Sequence, residues 1–153
     1  QRHYAAHVER HGMQSKPGVP ALLQDLAAGG VPVAVATQTR SGHAQAALAS
    51  AGLLEYLPVC VTGDLVAAPK PAPDVFLRAA AELGVDPADC IALEDSEIGI
   101  RAAVAAGMWT LMIPDLKPAS AEAALLVREI LPSMPHAAER VRTLLRDGAP
   151  IEE

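Results

Sequence analysis

The chain alternates between two hydrophobic periods, and that alternation predicts its elements. Val19, Leu22, Leu23 and Leu26 recur at i, i+3, i+4 and i+7, the apolar stripe of an amphipathic helix that Gly29-Gly30 terminates. The apolar run from Val31 to Ala36 then predicts a strand, which ends in the hydroxyl-rich loop Thr37-Gln38-Thr39-Arg40-Ser41-Gly42. A helix through Ala44, Ala47, Leu48 and Ala51 stops at Gly52, and Leu57 to Val61 forms a second strand running into Thr62-Gly63-Asp64. Ala68-Pro69-Lys70-Pro71-Ala72-Pro73-Asp74 is a stiff proline loop that opens a helix near Pro73, with Val75, Phe76, Ala79, Ala80 and Leu83 as its apolar positions.

The junction that follows organises the rest. Cys90 to Leu93 is a short unbroken apolar run suited to the middle of a parallel sheet, and it is stopped by Glu94 and Asp95. Ser96 is a good N-cap, Gly99 keeps the first helical turn slim, and Gly107 supplies the stop after an alanine-rich helix. Met108 to Pro114 reads as another strand, Ala121 to Leu126 as a helix and Glu129-Ile130-Leu131 as a short edge strand. Pro135 to Arg146 is a final helix with Ala138, Val141, Leu144 and Leu145 inward. At the other end, residues 1–14 read as a helix ending at Gly12, followed by a polar joint through Lys16-Pro17-Gly18.

Strands alternating with helices predict an α/β fold with a mainly parallel sheet. Right-handed crossovers then bring the polar strand ends to one edge, so Thr37, Lys70 and Glu94-Asp95 should converge where open α/β sheets bind ligands.

Composition narrows the function. The 153 residues suffice for one ordinary domain, and with 51% hydrophobic but only 3% aromatic residues its core must be built from Ala, Val, Leu and Ile. A net charge of −6 argues against a nucleic-acid partner or an anionic membrane surface. There is neither a membrane-span-length apolar run nor a signal-peptide h-region, which predicts a cytoplasmic protein. Cys60 and Cys90 lie in apolar runs and read as buried free thiols. His3, His7 and His11 share one helical face; an exposed polar face explains them better than a metal site, because no further ligand accompanies them.

The chemistry available at the sheet edge is that of phosphate. Thr37 and nearby amides can donate to phosphoryl oxygens at a helix N-terminus, Lys70 can neutralise charge, and Asp95 with Glu94 offers hard oxygens and held water to Mg²⁺. Each residue alone has an ordinary structural role, as a cap, a solvated loop residue or a turn acid. Their placement at successive strand ends is what favours function. A receiver-like domain with Asp95 as phospho-acceptor is disfavoured, since Lys70 lies between two prolines before a helix rather than after a late strand.

From Lys16 to Ile113 the sequence resembles the haloacid dehalogenase-like superfamily, in its β-phosphoglucomutase and phosphoglycolate-phosphatase-like branch. The residues that carry the resemblance are Pro17-Gly18-Val19, Val33-Ala34-Val35-Ala36-Thr37, Val61-Thr62-Gly63-Asp64, Lys70-Pro71-Ala72-Pro73-Asp74 and Glu94-Asp95-Ser96 through Gly107-Met108. The resemblance implies a three-layer Rossmann-like core and a small phosphorylated metabolite as substrate. It implies that Thr37 and Lys70 are catalytic, that Thr37, Gln38, Arg40 and Lys70 bind phosphate or substrate, and that Asp95 and Glu94 hold Mg²⁺.

The family's Asp-x-Asp-Gly-Thr motif, which supplies the nucleophile, is not found among these residues. The expectation is therefore a C-terminal part of a Mg²⁺-dependent phosphohydrolase or phosphomutase. Residues 1–15 would be a remnant of the helical cap, 16–146 a core lacking its first, central strand, and 147–153 a frayed tail. Such a chain is expected to be inactive by itself and to hold Mg²⁺ weakly. The strands ending at Thr37 and Asp95 would then pair directly, be bridged by a second chain in a homodimer, or be completed by an N-terminal segment. The alternative expectation is a non-catalytic module that binds phosphate or a partner and dimerises through an open sheet edge.

Overall fold

The structure is a computed structural model that describes residues 15–115 and 118–147. The helix expected over residues 1–14, with its three histidines, and the tail beyond Asp147 lie outside the described residues. Helix α1 (Val19–Ala28) leads to strand β1 (Ala34–Thr37), α2 (Ser41–Ser50), β2 (Val59–Thr62) and α3 (Asp74–Leu83). The order continues with β3 (Ile91–Glu94), α4 (Glu97–Ala105), β4 (Trp109–Met112), α5 (Ala121–Leu126), β5 (Glu129–Ile130) and α6 (Met134–Asp147). The expected α/β class is borne out, and every strand pair is parallel.

The strands form two ladders, β1-β2 and β3-β4-β5. Direct pairing of β1 with β3 does not occur among the described residues. Side chains nevertheless alternate across a common plane. Ala34 and Ala36 pack on one face of β1 while Val33 and Val35 pack on the other, and Ala92 is likewise separated from Ile91 and Leu93 on β3.

Helices cover both faces and tie the ladders together. On one face α3 and α4 place Val75, Phe76, Ala79, Ala102 and Ala103 in a single cluster with Val61 of β2 and Ala92 of β3. On the other, adjacent leucines of α1 part ways: Leu22 packs with Leu111, Ala138 and Val141, and Leu23 with Leu48, Leu53 and Leu57. One helix thereby spans both ladders. The small alanines let α4 approach closely enough that Ala102 and Ala103 are fully buried.

Three details differ from the sequence reading, each for a local reason. Strand β1 begins at Ala34 rather than Val31, because the Val31 amide closes the end of α1 on Leu26 O at 2.9 Å and Pro32 has no amide to give. Leu145 is 44% exposed, whereas Ala137, about two turns nearer the start of α6, is fully buried. Cys60 and Cys90 are free thiols as expected but only half-buried; burial pushes both above the ordinary thiol range.

The packing sets two mutational outcomes. Leu111→Ala, at a fully buried position, should cost about 2–5 kcal/mol in urea unfolding. Leu125→Ala, at a position 87% exposed, should stay within about 0.5 kcal/mol of the unaltered chain.

Candidate active site

The carboxyl ends of β1 and β3 line one cleft of about 400 Å³, with Ala36 and Thr37 from the first and Leu93 and Glu94 from the second. Thr37, Gln38, Lys70, Glu94, Asp95 and Lys16 are among the residues lining it.

Lys70 reaches the cleft from the proline loop, which is pinned by Ala72 N donating to Pro69 O at 3.0 Å and Ala68 N donating to Asp74 Oδ1 at 3.1 Å. Its ammonium donates to Ala36 O on β1 at 3.1 Å, pairs with Glu94 Oε1 at the end of β3, and lies 4.5 Å from the centre of the Phe76 ring. Both side chains of the pair are nearly buried, 7% and 10% exposed. The other Glu94 oxygen accepts from Ser96 Oγ at 3.3 Å, while Ser96 Oγ caps α4 by accepting from Gly99 N at 3.2 Å. A Cβ at position 99 would overlap the Glu94 carboxylate as it stands, so a larger residue there would have to displace that carboxylate from Lys70.

Thr37 ends β1 with its Oγ1 accepting from Thr39 N at 3.1 Å, which leaves the hydroxyl hydrogen to donate elsewhere. Gln38 Nε2 donates to Lys70 O at 2.9 Å and ties this loop to the proline loop. Asp95 is half-exposed, and its Oδ2 lies 3.3 Å from Lys16 Nζ, which also meets Asp115 Oδ2 at 3.2 Å. Arg40 stands at the start of α2, exposed and outside the cleft lining.

The structure thus brings together Thr37, Gln38, Lys70, Glu94 and Asp95 but not Arg40. It also separates the two acids, Glu94 facing Lys70 and Asp95 facing Lys16. Among the described residues no group of three or more His, Cys, Asp or Glu is placed to hold a metal ion. Sequence reasoning missed Lys16, because it follows no strand; the only signal was a lysine directly before Pro17-Gly18.

Sequence reasoning also left Asp64 without a role. Its carboxylate accepts from Thr62 Oγ1 at 2.6 Å and from the Ser41 amide and hydroxyl at 2.9–3.1 Å. The Thr62 hydroxyl first, and then Ser41, lowers its pKa to about 2.

The layered parallel α/β core thus carries a hydroxyl, a nearly buried lysine and two separately facing acids at its strand ends. The family model for haloacid dehalogenase-like hydrolases matches residues 2–107, and the chain belongs to that family. Protein CbbY, plasmid, of Cupriavidus necator is 39% identical over 132 residues, covering 82% of this chain and 52% of that protein. Fructose-1-phosphate phosphatase YqaB of Escherichia coli K12 is 48% identical over 77 residues, 50% of this chain and 41% of that protein. The crystal structure of CbbY from Rhodobacter sphaeroides in complex with phosphate superposes with a TM-score of 0.76 at 30% identity, covering 86% of this chain and 59% of that one. The chain spans about half the length of the curated relatives it matches.

The match corrects two expectations. The chain was expected to be a C-terminal remnant without its nucleophile, inactive by itself, or else a non-catalytic module dimerising through an open edge. The hydrolase model instead takes in residues 2–107, and strands and helices build a layered core throughout the described residues, with apolar clusters closed on both faces. The remnant reading, the inactivity drawn from it and the module alternative are set aside. Helices packed across both ladders supply burial that the expectation of an open sheet edge left out.

Two outcomes follow from the geometry. Lys70→Met leaves the Glu94 carboxylate nearly buried without its cation and should cost roughly 3 kcal/mol in urea unfolding, much of it recovered in the double variant K70M/E94Q. The Asp64 carboxyl, followed by NMR, should titrate at about 2. Its folded pKa lies below the unfolded value, so the stability it contributes is present above about pH 4 and is lost as pH falls through about 2.

Proposed function

We propose that this cleft binds the phosphoryl group of a small phosphorylated metabolite, and that the chain serves as a cytoplasmic phosphohydrolase in the branch of its family that includes CbbY and β-phosphoglucomutase. The observation that carries the reading is the meeting of the Thr37 hydroxyl and the Lys70 ammonium at one strand-end cleft. The relatives named above support it, one a fructose-1-phosphate phosphatase and another solved with phosphate.

In this reading Thr37 donates its hydroxyl hydrogen to a phosphoryl oxygen, and the start of α2 adds the positive end of a helix dipole nearby. Lys70 balances charge that builds on the phosphoryl group, from a position that the Glu94 pairing and the Ala36 carbonyl keep still. Gln38 holds the two loops at a fixed separation.

Mg²⁺ fits the donor set as a water-rich site. Asp95 is half-exposed and supplies a hard oxygen, and magnesium is commonly held by one or two carboxylates, waters and substrate phosphate. Asp95 would hold it, with Glu94 ordering a water. The ion would supply charge neutralisation at the phosphoryl oxygens.

Release of phosphate from p-nitrophenyl phosphate and a panel of sugar phosphates, with and without Mg²⁺, tests the proposal. Thr37→Val should lower kcat/KM about a hundredfold while Thr37→Ser keeps most of it. Asp95→Asn should remove the Mg²⁺ response. No release above the uncatalysed rate from any ester would end this reading.

A further inference from the structure

The loop that carries Thr37 is held from behind by a second turn. Helix α2 begins at Ser41 with Arg40 as N-cap residue, and the Arg40 side chain makes no capping bond. The cap comes from outside the helix: Asp64 Oδ1 accepts from the Ser41 amide at 3.1 Å, and both Asp64 oxygens accept from Ser41 Oγ, at 2.9 and 3.0 Å. Ser41 Oγ also lies 2.7 Å from Thr62 Oγ1, which itself donates to Asp64 Oδ1 at 2.6 Å, so the single Ser41 hydroxyl hydrogen goes either to Asp64 directly or to Thr62, and the three side chains form one cluster. The turn Gly63–Leu65 touches the loop at one more point. A Cβ on Gly63 would sit 2.8 Å from Gln38 O, so the two backbones pass in direct contact there.

We propose that Asp64, with Gly63, is a positioning residue for the phosphoryl-binding loop Thr37–Arg40, an inference that rests on the function proposed above. The loop has only three residues between the end of β1 at Thr37 and the start of α2 at Ser41. Thr37 is fixed at one end by the β1-β2 ladder, where it stands opposite Thr62. Ser41 is fixed at the other by Asp64. With both ends anchored to the same segment of β2 and its turn, the Thr37 hydroxyl and the amide of Gln38 have little freedom to reorient, which is what preorganised anion recognition needs. The depressed pKa of Asp64 keeps the anchor charged throughout the neutral range.

Inorganic phosphate is the probe, followed through the amide resonances of residues 37–41. In the unaltered chain these should shift on titration. In Asp64→Ala the dissociation constant should rise about tenfold, the scale set by losing a charged cap. Leu48→Ala, a core change on the same helix far from the loop, serves as the stability control and should leave the constant within about twofold although the fold is weakened. Asp64→Asn keeps one acceptor for the Ser41 amide and should fall between the two; it carries the test by the same criterion if Asp64→Ala does not fold. Phosphate affinity within about twofold of the unaltered chain in the Asp64 variant, or an equal loss in Leu48→Ala, would overturn the positioning role alone. Failure of the unaltered chain to bind phosphate would instead overturn the proposed function and this inference with it.

Discussion

The ion pair between Lys70 and Glu94 joins what the backbone leaves apart. No ladder connects β1 to β3 among the described residues, yet the Lys70 ammonium bonds a carbonyl of the first and the terminal carboxylate of the second. Pairs this deeply buried gain little net stability over apolar packing, because both charges must leave water. Their value lies in geometry. A lysine whose donors are directed at Ala36 O and Glu94, with Phe76 against it, has one productive position.

The acids at the end of β3 divide their work. Glu94 is drawn inward over Gly99, whose missing Cβ leaves room for its carboxylate beside the start of α4. Asp95, one residue on, points toward the open side and meets Lys16. Adjacent residues at a strand end face opposite ways, so one acid can orient a lysine while its neighbour stays accessible to solvent or a cation. The same economy of position recurs at β2, where Thr62, Gly63 and Asp64 support a loop from the neighbouring strand.

Membership of the haloacid dehalogenase-like hydrolases leaves the substrate open, because relatives 48% and 36% identical to the chain bear the names of a fructose-1-phosphate phosphatase and a β-phosphoglucomutase. What the CbbY crystal structure holds in common with this chain is the fold, over 86% of the chain. Within the described cleft Lys16, Ile98 and Met134 are among the lining side chains that take no part in the Lys70 and Thr37 contacts.

Local pattern was enough for most of the fold. The spacing of Val19, Leu22, Leu23 and Leu26, the apolar runs ending at Thr37 and Glu94, and the Ser96 cap each follow from interactions within a turn or a strand, and each stands where expected. The convergence of Thr37, Lys70, Glu94 and Asp95 was legible too, because parallel strands with right-handed crossovers must place their carboxyl ends together. Contacts between residues far apart in the chain carry no such local signature. Nothing in the sequence marked Lys16 as the partner of an acid 79 positions away, Asp64 as the cap of a helix that begins 23 positions earlier, or Leu22 and Leu23 as neighbours packed into different cores. Those were decided by tertiary packing, which alone determines which surfaces of separate elements are brought within a few ångströms of each other.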